Sequence, residues 1–278
     1  MILKLSLKNK ITKGLVEDAI REEFSNKDYN LTLKTGICQL DSAIGGFRRG
    51  ELYLLVGCGC SGKTSFLLNM INSIGINQGK TIVYFSLEDG IILSIRKLLR
   101  IMSGRSLADI NTEEMDQMVI NLSNKNIYID DTPAISTDRI TESLNWFNQP
   151  VDMVIIDYLQ LVKGYDSEST SAEIMNALKV IAQTFNCPVL VPYTLNSLIG
   201  YKDKACRYLQ VPEISNRIAD IVDNILFIMN TSYTFSEDGS EKTPETRFLV
   251  GKNRRGSAKE FYLERDTNNF IFRDIGKL

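Results

Sequence analysis

No histidine occurs anywhere in the 278 residues. That absence removes Ser-His-Asp and Cys-His catalysis, histidine metal ligands and histidine proton shuttles. Chemistry must then come from carboxylates, lysine and arginine, hydroxyls, backbone amides or a bound metal. Long apolar runs are also missing, and none approaches the ~18–20 residues that span a bilayer. The stretch from Met1 to Glu23 has no long apolar region and turns acidic early, so it reads as neither signal nor transit peptide. Cysteine is sparse and odd in number: Cys38, Cys58, Cys60, Cys187 and Cys206. No regular framework links them, which fits a reducing compartment better than a secreted fold. Cys58 and Cys60 lie in a glycine loop with no second pair, a poor metal clip. Net charge is nearly absent, since 32 Lys and Arg face 34 Asp and Glu, leaving −2. The chain is therefore no polycation, and any nucleic-acid contact has to be local. Internal repeats and low-complexity tracts are absent as well. These absences lead to the expectation of a soluble, intracellular, cytoplasmic protein.

What is present is ordinary globular material. Hydrophobic residues make up 44% and charged residues 24%, which excludes disorder and collagen-like fibre. The length approaches two average domains, but single α/β domains of about 200–250 residues are common. Residues 1–34 are the most polar stretch and read as an N-terminal arm. Leu15, Ala19, Ile20 and Phe24 share one face of a short linker-type helix there. Residues 35–278 read as one domain.

From Thr35 onward, short apolar strands alternate with helical stripes. Strands are expected at Glu51–Val56, Thr81–Ser86, Asn126–Ile129, Asp152–Ile156, Pro188–Tyr193 and Asn224–Met229. Several are continuous apolar runs, which indicates burial on both faces, as in a parallel sheet. One helical stripe is Phe66, Met70 and Ile74. A second is Ile140, Leu144 and Phe147, with Ser136 as N-cap and Ile135 stapled onto Ile140. A third is Ile174, Leu178, Ile181 and Phe185. The alternation predicts an α/β fold, a mostly parallel sheet with helices on both faces. The tail differs. Arg247–Gly251, Ala258–Glu264 and Asn269–Phe272 are closely spaced around turn signals, which predicts antiparallel strands at the C-terminal edge, the first two forming a hairpin.

Gly57-Cys58-Gly59-Cys60-Ser61-Gly62-Lys63-Thr64 fits G-x-x-x-x-G-K-[ST] at every fixed position. An expected strand precedes it and the Phe66 helical stripe follows it, and Gly57 through Ser65 are the expected nucleotide-binding residues. Glycines let backbone N–H groups curl around a phosphate, and the helix N-terminus adds partial positive charge. Lys63 can reach terminal phosphates and Thr64 can ligate Mg²⁺, so ATP with Mg²⁺ is the expected cofactor. Val154-Ile155-Ile156-Asp157 supplies a carboxylate at the end of a buried strand, suited to hold the metal beside Thr64. Phe85-Ser86-Leu87-Glu88 places Glu88 just past the second strand. Two readings stay open for it: the base that activates water, or a helix N-terminal Glu favoured by the dipole.

Together these residues resemble the C-terminal motor domain of DnaB-type replicative helicases, a RecA-like P-loop ATPase family. The resemblance runs from about Thr35 to Asp274. It includes Thr35-Gly36, Leu40-Asp41, Gly45-Gly46 and Arg49-Gly50-Glu51-Leu52 before the loop, then the FSLE run, Tyr128-Ile129-Asp130-Asp131 and Ile156-Asp157-Tyr158-Leu159-Gln160-Leu161. The basic turn Gly251-Lys252-Asn253-Arg254-Arg255-Gly256 closes the series. The resemblance implies a homo-oligomeric ring, a hexamer, with ATP sites between subunits. In it Glu88 activates water, Asp157 serves Mg²⁺, and Lys252 and Arg254 reach into the neighbour's site. Such a cation stabilises charge that builds on phosphate oxygens. The other reading of the turn is a solvated basic hairpin tip or a nucleic-acid contact. The resemblance also implies single-stranded DNA in the pore, with primase, a loader or other replisome proteins as partners. Pore loops fall at about Lys163–Ser171 and Ser197–Val211. In the second, Lys202, Lys204 and Arg207 lie near Tyr201 and Tyr208, a mixture suited to phosphates and stacked bases.

Departures from the family matter. Its Ser-Gln-Leu-Asn-Arg run is replaced by Tyr193-Thr194-Leu195-Asn196-Ser197, and its Arg-Glu-Ser-Gly run is altered around Ile214-Ser215-Asn216-Arg217. The segment Gly164–Ser169 is acidic, and residues 1–34 are too few for the family's N-terminal helical domain. The leading expectation is an ATP-dependent DNA helicase or translocase. The alternative is a nucleotide-switched assembly or regulatory ATPase of a replisome that does not unwind. A recombinase or clock-type RecA relative fits less well. Small phage- or plasmid-encoded versions of this domain would fit the short chain.

Overall fold

In a computed structural model of the chain, residues 32–195, 214–230 and 245–275 are described. The expected arm helix and the second pore loop, with Lys202, Lys204 and Arg207, lie outside them. In chain order the main elements are β1 (Thr32–Leu33), α1 (Cys38–Ile44), β2 (Phe47–Arg48), β3 (Leu52–Gly57), α2 (Lys63–Met70), β4 (Ile82–Ser86), α3 (Gly90–Ser103), α4 (Thr112–Ser123) and β5 (Ile127–Asp130). There follow α5 (Thr137–Asn145), β6 (Met153–Asp157), α6 (Glu168–Thr184), β7 (Val189–Thr194), α7 (Asn216–Ile221), β8 (Asn224–Asn230), β9 (Glu245–Asn253), β10 (Lys259–Asp266) and β11 (Ile271–Asp274).

Among the described residues, nine strands form one sheet in the order β11-β10-β9-β8-β3-β7-β6-β4-β5. From β8 to β5 the neighbours run parallel, and β9, β10 and β11 add antiparallel. The expected α/β class, parallel centre and C-terminal hairpin are therefore all present. The continuous apolar runs have the expected cause. In β3, Tyr53 and Leu55 pack into one core, and Leu52, Leu54 and Val56 into the other. The same split repeats in β4, where Ile82 and Tyr84 oppose Val83 and Phe85. Side chains alternate across a strand, so a two-faced buried strand has no polar phase. Helices α1, α2 and α3 cover one face through Leu40, Phe66 and Leu98. Helices α5, α6 and α7 cover the other through Ile140, Leu178 and Ile218.

Most of the parallel strands sit one residue later than expected, ending on Gly57, Asp157 and Thr194. Those end residues carry no apolar signal, yet register pairs Gly57 with Thr194 and Ser86 with Asp157. All three expected stripes fall on helices, although Phe147 lies two residues past α5 and Phe185 one past α6, and Ser136 caps α5 by accepting from the Arg139 amide. Helices α1, α3 and α4 were not marked by those stripes. Helix α2 runs on into wider π-type turns over Ile71–Asn77. Part of the first expected pore loop, from Ser167 on, is instead the capped start of α6.

Candidate functional site

The glycine loop leaves the C-terminal end of β3, the fold's central parallel strand. Two of its glycines are forced by packing. A Cβ on Gly57 would fall 2.3 Å from Ser61 Oγ and 2.8 Å from the Ile228 carbonyl oxygen. Gly62 has φ +99, and a Cβ there would fall 2.7 Å from Arg265 Cζ. Lys63 opens α2, and its Nζ donates to the carbonyls of Gly57 (3.1 Å) and Cys58 (2.8 Å). Burial lowers its pKa, against the pull of the Asp157 and Glu88 carboxylates. Cys58 is disulfide-bonded, and Cys60 is a free, exposed thiol with φ 59. Ser61 and Ser65 are both buried. The Ser61 hydroxyl has no hydrogen-bond partner among the described residues.

Asp157 ends β6 and is buried. Its carboxylate accepts from the Tyr84 hydroxyl (3.2 Å) and is hydrogen-bonded to Thr64. Burial raises its pKa to about 6, with Glu88 adding to the rise. Glu88 stands two residues past the end of β4, exposed, before α3 begins at Gly90. Between them Asp89 takes the position that caps α3 and pairs with Lys97. Glu88 is thus in the crevice and not in the helix, where its charge acts on both Lys63 and Asp157. Lys63, Thr64, Asp157 and Glu88 are brought together at the carboxyl ends of β3, β4 and β6, where such sheets bind ligands.

Lys252 and Arg254 are not brought there. They sit at the far end of the same strands, because β9 runs antiparallel to β8 and its C-terminus lies beside the start of β8. Six residues of β3 separate the two ends, roughly 17 Å of strand. Lys252 Nζ donates to the carbonyls of Ala219 (2.6 Å) and Val222 (2.7 Å). Arg254 Nη1 meets Asp223 Oδ1 at 2.7 Å, with 66% of its side chain exposed. Arg255 Nε donates to Glu51 Oε1 at 2.8 Å. Asp223 also accepts from Lys179 (2.5 Å) and the Leu52 amide (2.8 Å). Two buried acids at the base of the sheet therefore hold the basic turn.

Sequence reasoning missed four contributors. Tyr84 supports Asp157, while Glu51 and Asp223 support the turn. Arg265 touches the phosphate loop itself, donating to the Ser61 carbonyl at 3.1 Å. A signal for Arg265 did exist. It follows Phe261 and Leu263 in the buried phase of β10, where a cation is out of place. Thr194, at the departure from the family run, ends β7 beside Gly57. Its backbone is bracketed by Gln160, whose amide donates to the Thr194 carbonyl at 2.6 Å.

Fold and site define a RecA-like α/β domain with a P-loop. The family model of the DnaB-like helicase C terminal domain matches residues 32–274, and the chain belongs to that family. It is 26% identical over 269 residues to the replicative DNA helicase DnaB of Geobacillus stearothermophilus, covering 90% of this chain and 59% of that one. To the replicative DNA helicase DnaC of Bacillus subtilis (strain 168) it is 27% identical over 252 residues, covering 84% and 55%. The chain thus spans somewhat over half the length of these curated relatives. One solved ATPase domain shares the fold with a TM-score of 0.80 at 21% identity, over 96% of this chain and 100% of that one. A DnaB-like replicative helicase, solved in a study of its interactions with primase, gives 0.76 at 22% identity, over 96% and 68%. Among the described residues no helix is long and apolar enough to cross a membrane.

Proposed function

We propose that this chain is an ATP-driven DNA translocase of the replicative-helicase type, working as a ring on single-stranded DNA. The observation that carries the reading is the convergence of Lys63, Thr64, Asp157 and Glu88 at the carboxyl ends of β3, β4 and β6. The residues fit Mg-ATP. Thr64 and Asp157 are hard oxygen donors of the kind Mg²⁺ takes. The buried Ser61 hydroxyl has a hydrogen bond to give, and a phosphate oxygen would accept it. Loop residues 57–65 and Lys63 hold the triphosphate, while Thr64 and Asp157 hold the metal. Mg²⁺, when bound, neutralises charge on the phosphate oxygens. Glu88 orients the attacking water and accepts its proton. Lys252 and Arg254 complete the pocket of an adjoining copy, since their own pocket is a strand's length away. Arg254, with two-thirds of its side chain in solvent, would exchange Asp223 for the neighbour's phosphates. The ring is read as a hexamer. Lys202, Lys204 and Arg207 are assigned to DNA phosphates, and primase or a loader are the partners this family relation supports.

Turnover of ATP with and without single-stranded DNA at low salt tests the reading. DNA should stimulate it, and Lys63→Ala or Glu88→Gln should reduce it about 100-fold or more. Arg254→Ala should lose turnover yet still bind ATP. Turnover indifferent to DNA would end the translocase reading. One observation favours a second reading, a nucleotide-switched assembly ATPase that does not unwind. Thr194, shorter than the family's Gln at that position, occupies the strand end beside the loop. Robust displacement of a strand from a forked duplex by this chain alone would remove that alternative.

A further inference from the structure

We infer that Arg265 and Asn230 form a brace on the outer side of the phosphate loop, which makes Arg265 a positioning residue for the triphosphate in its own subunit. This rests on the nucleotide-site reading above and adds residues from two strands outside the loop motif. Strand alternation turns Arg265 inward, in phase with buried Phe261 and Leu263. Its Nη1 donates to the Ser61 carbonyl at 3.1 Å and to Asn230 Oδ1 at 2.9 Å. Asn230, the last residue of β8, donates in turn to the Cys60 carbonyl at 3.1 Å. The guanidinium lies flush against Gly62, 2.7 Å from where a Cβ would stand, and 5.6 Å from the centre of the Phe272 ring. That ring contact limits its sideways swing.

The consequence is directional. The carbonyl and the N–H of one trans peptide unit lie in a nearly rigid plane and point in opposite directions within it. Holding the Ser61 carbonyl toward Arg265 turns the Gly62 amide to the other side, where a phosphate is gripped. Lys63 takes the carbonyls of Gly57 and Cys58 in the same way. Without the brace the loop has more conformations to lose on binding, so affinity for the phosphates falls.

The test titrates the full chain with Mg-ATP and, separately, with inorganic tripolyphosphate. In Arg265→Ala the Kd for both should rise about tenfold, the loss expected of a charge-assisted hydrogen bond. KM for ATP should rise in parallel, with a smaller fall in kcat, and Arg265→Lys should recover part of the loss. Asn230→Ala removes a neutral partner of the brace and keeps the Arg265 bond to Ser61, so it should shift both Kd values the same way, about threefold. It serves if Arg265→Ala does not fold. Lys63→Ala is the control for the underlying reading. If the parent binds neither ligand, or Lys63→Ala binds both like the parent, the nucleotide site itself is wrong. If Lys63→Ala fails as expected but the Arg265 and Asn230 variants bind both ligands unchanged, the brace alone is wrong. Weakened ATP with unchanged tripolyphosphate would put Arg265 on the nucleoside and overturn the brace. A purely structural role would lower the fraction of binding-competent protein and leave Kd alone.

Discussion

At the start of β8 one carboxylate, Asp223, gathers Lys179, the Leu52 amide and Arg254. Burial pushes its carboxyl up, but these hydrogen bonds prevail and hold it below its usual value. A folded pKa below the unfolded ~3.9 adds stability that is present at neutral pH and lost as pH falls through the folded value. Asp223→Asn should therefore cost about 3 kcal/mol at neutral pH, since it leaves Lys179 uncompensated. Urea unfolding should show that gap flat from about pH 8 to about pH 5 and shrinking below about pH 4. A gap that widened on acidification would contradict the assignment. Asp157, Lys63 and Glu88 stood out in the sequence because each lies within or at the end of a short motif. Asp223 did not, because its partners Leu52 and Lys179 lie 171 and 44 residues away and no local pattern joins them.

The elements show the same division. Strands β3, β4 and β6 were readable because two-faced burial leaves an unbroken apolar run. The last residue of β3, Gly57, was not, because a strand end that opens a glycine loop carries no apolar signal. What secures α2 was hidden as well. Phe66 on α2 meets Phe248 of β9 at 5.2 Å and Phe272 of β11 at 6.0 Å, and Phe248 stacks on Phe261 of β10 at 5.5 Å. The antiparallel edge is thus a clamp on the helix that begins at Lys63. Phe248→Ala should cost about 3–5 kcal/mol and lower the melting temperature in a single cooperative step. If the edge strands melted separately from the rest, the clamp would be misdescribed. Gly75, on the wider turns after α2, carries a milder version. A Cβ there would press on Ile82 at 3.0 Å and Ile127 at 3.2 Å, so Gly75→Ala should cost about 1–2 kcal/mol in the same melt.

For the molecule as a whole, the proposed shared pocket makes a mixing experiment decisive. Lys63→Ala chains retain a sound basic turn, and Arg254→Ala chains retain a sound loop. Neither should turn over ATP alone. Mixed in equal amounts and allowed to reassemble, about a quarter of the junctions should pair one good half with the other, and turnover should return to match. A mixture as inactive as its parts would deny that the turn works across a junction.

Strand β3 has one end at the loop and the other at Leu52, tied through Asp223 to Arg254. In a closed circle of copies those two ends would serve different triphosphates. A stiff rod cannot shift at one end without pushing at the other, so each firing would jostle the seat next door. Pockets linked that way should discharge in procession around the circle, each waiting on its neighbour's recoil.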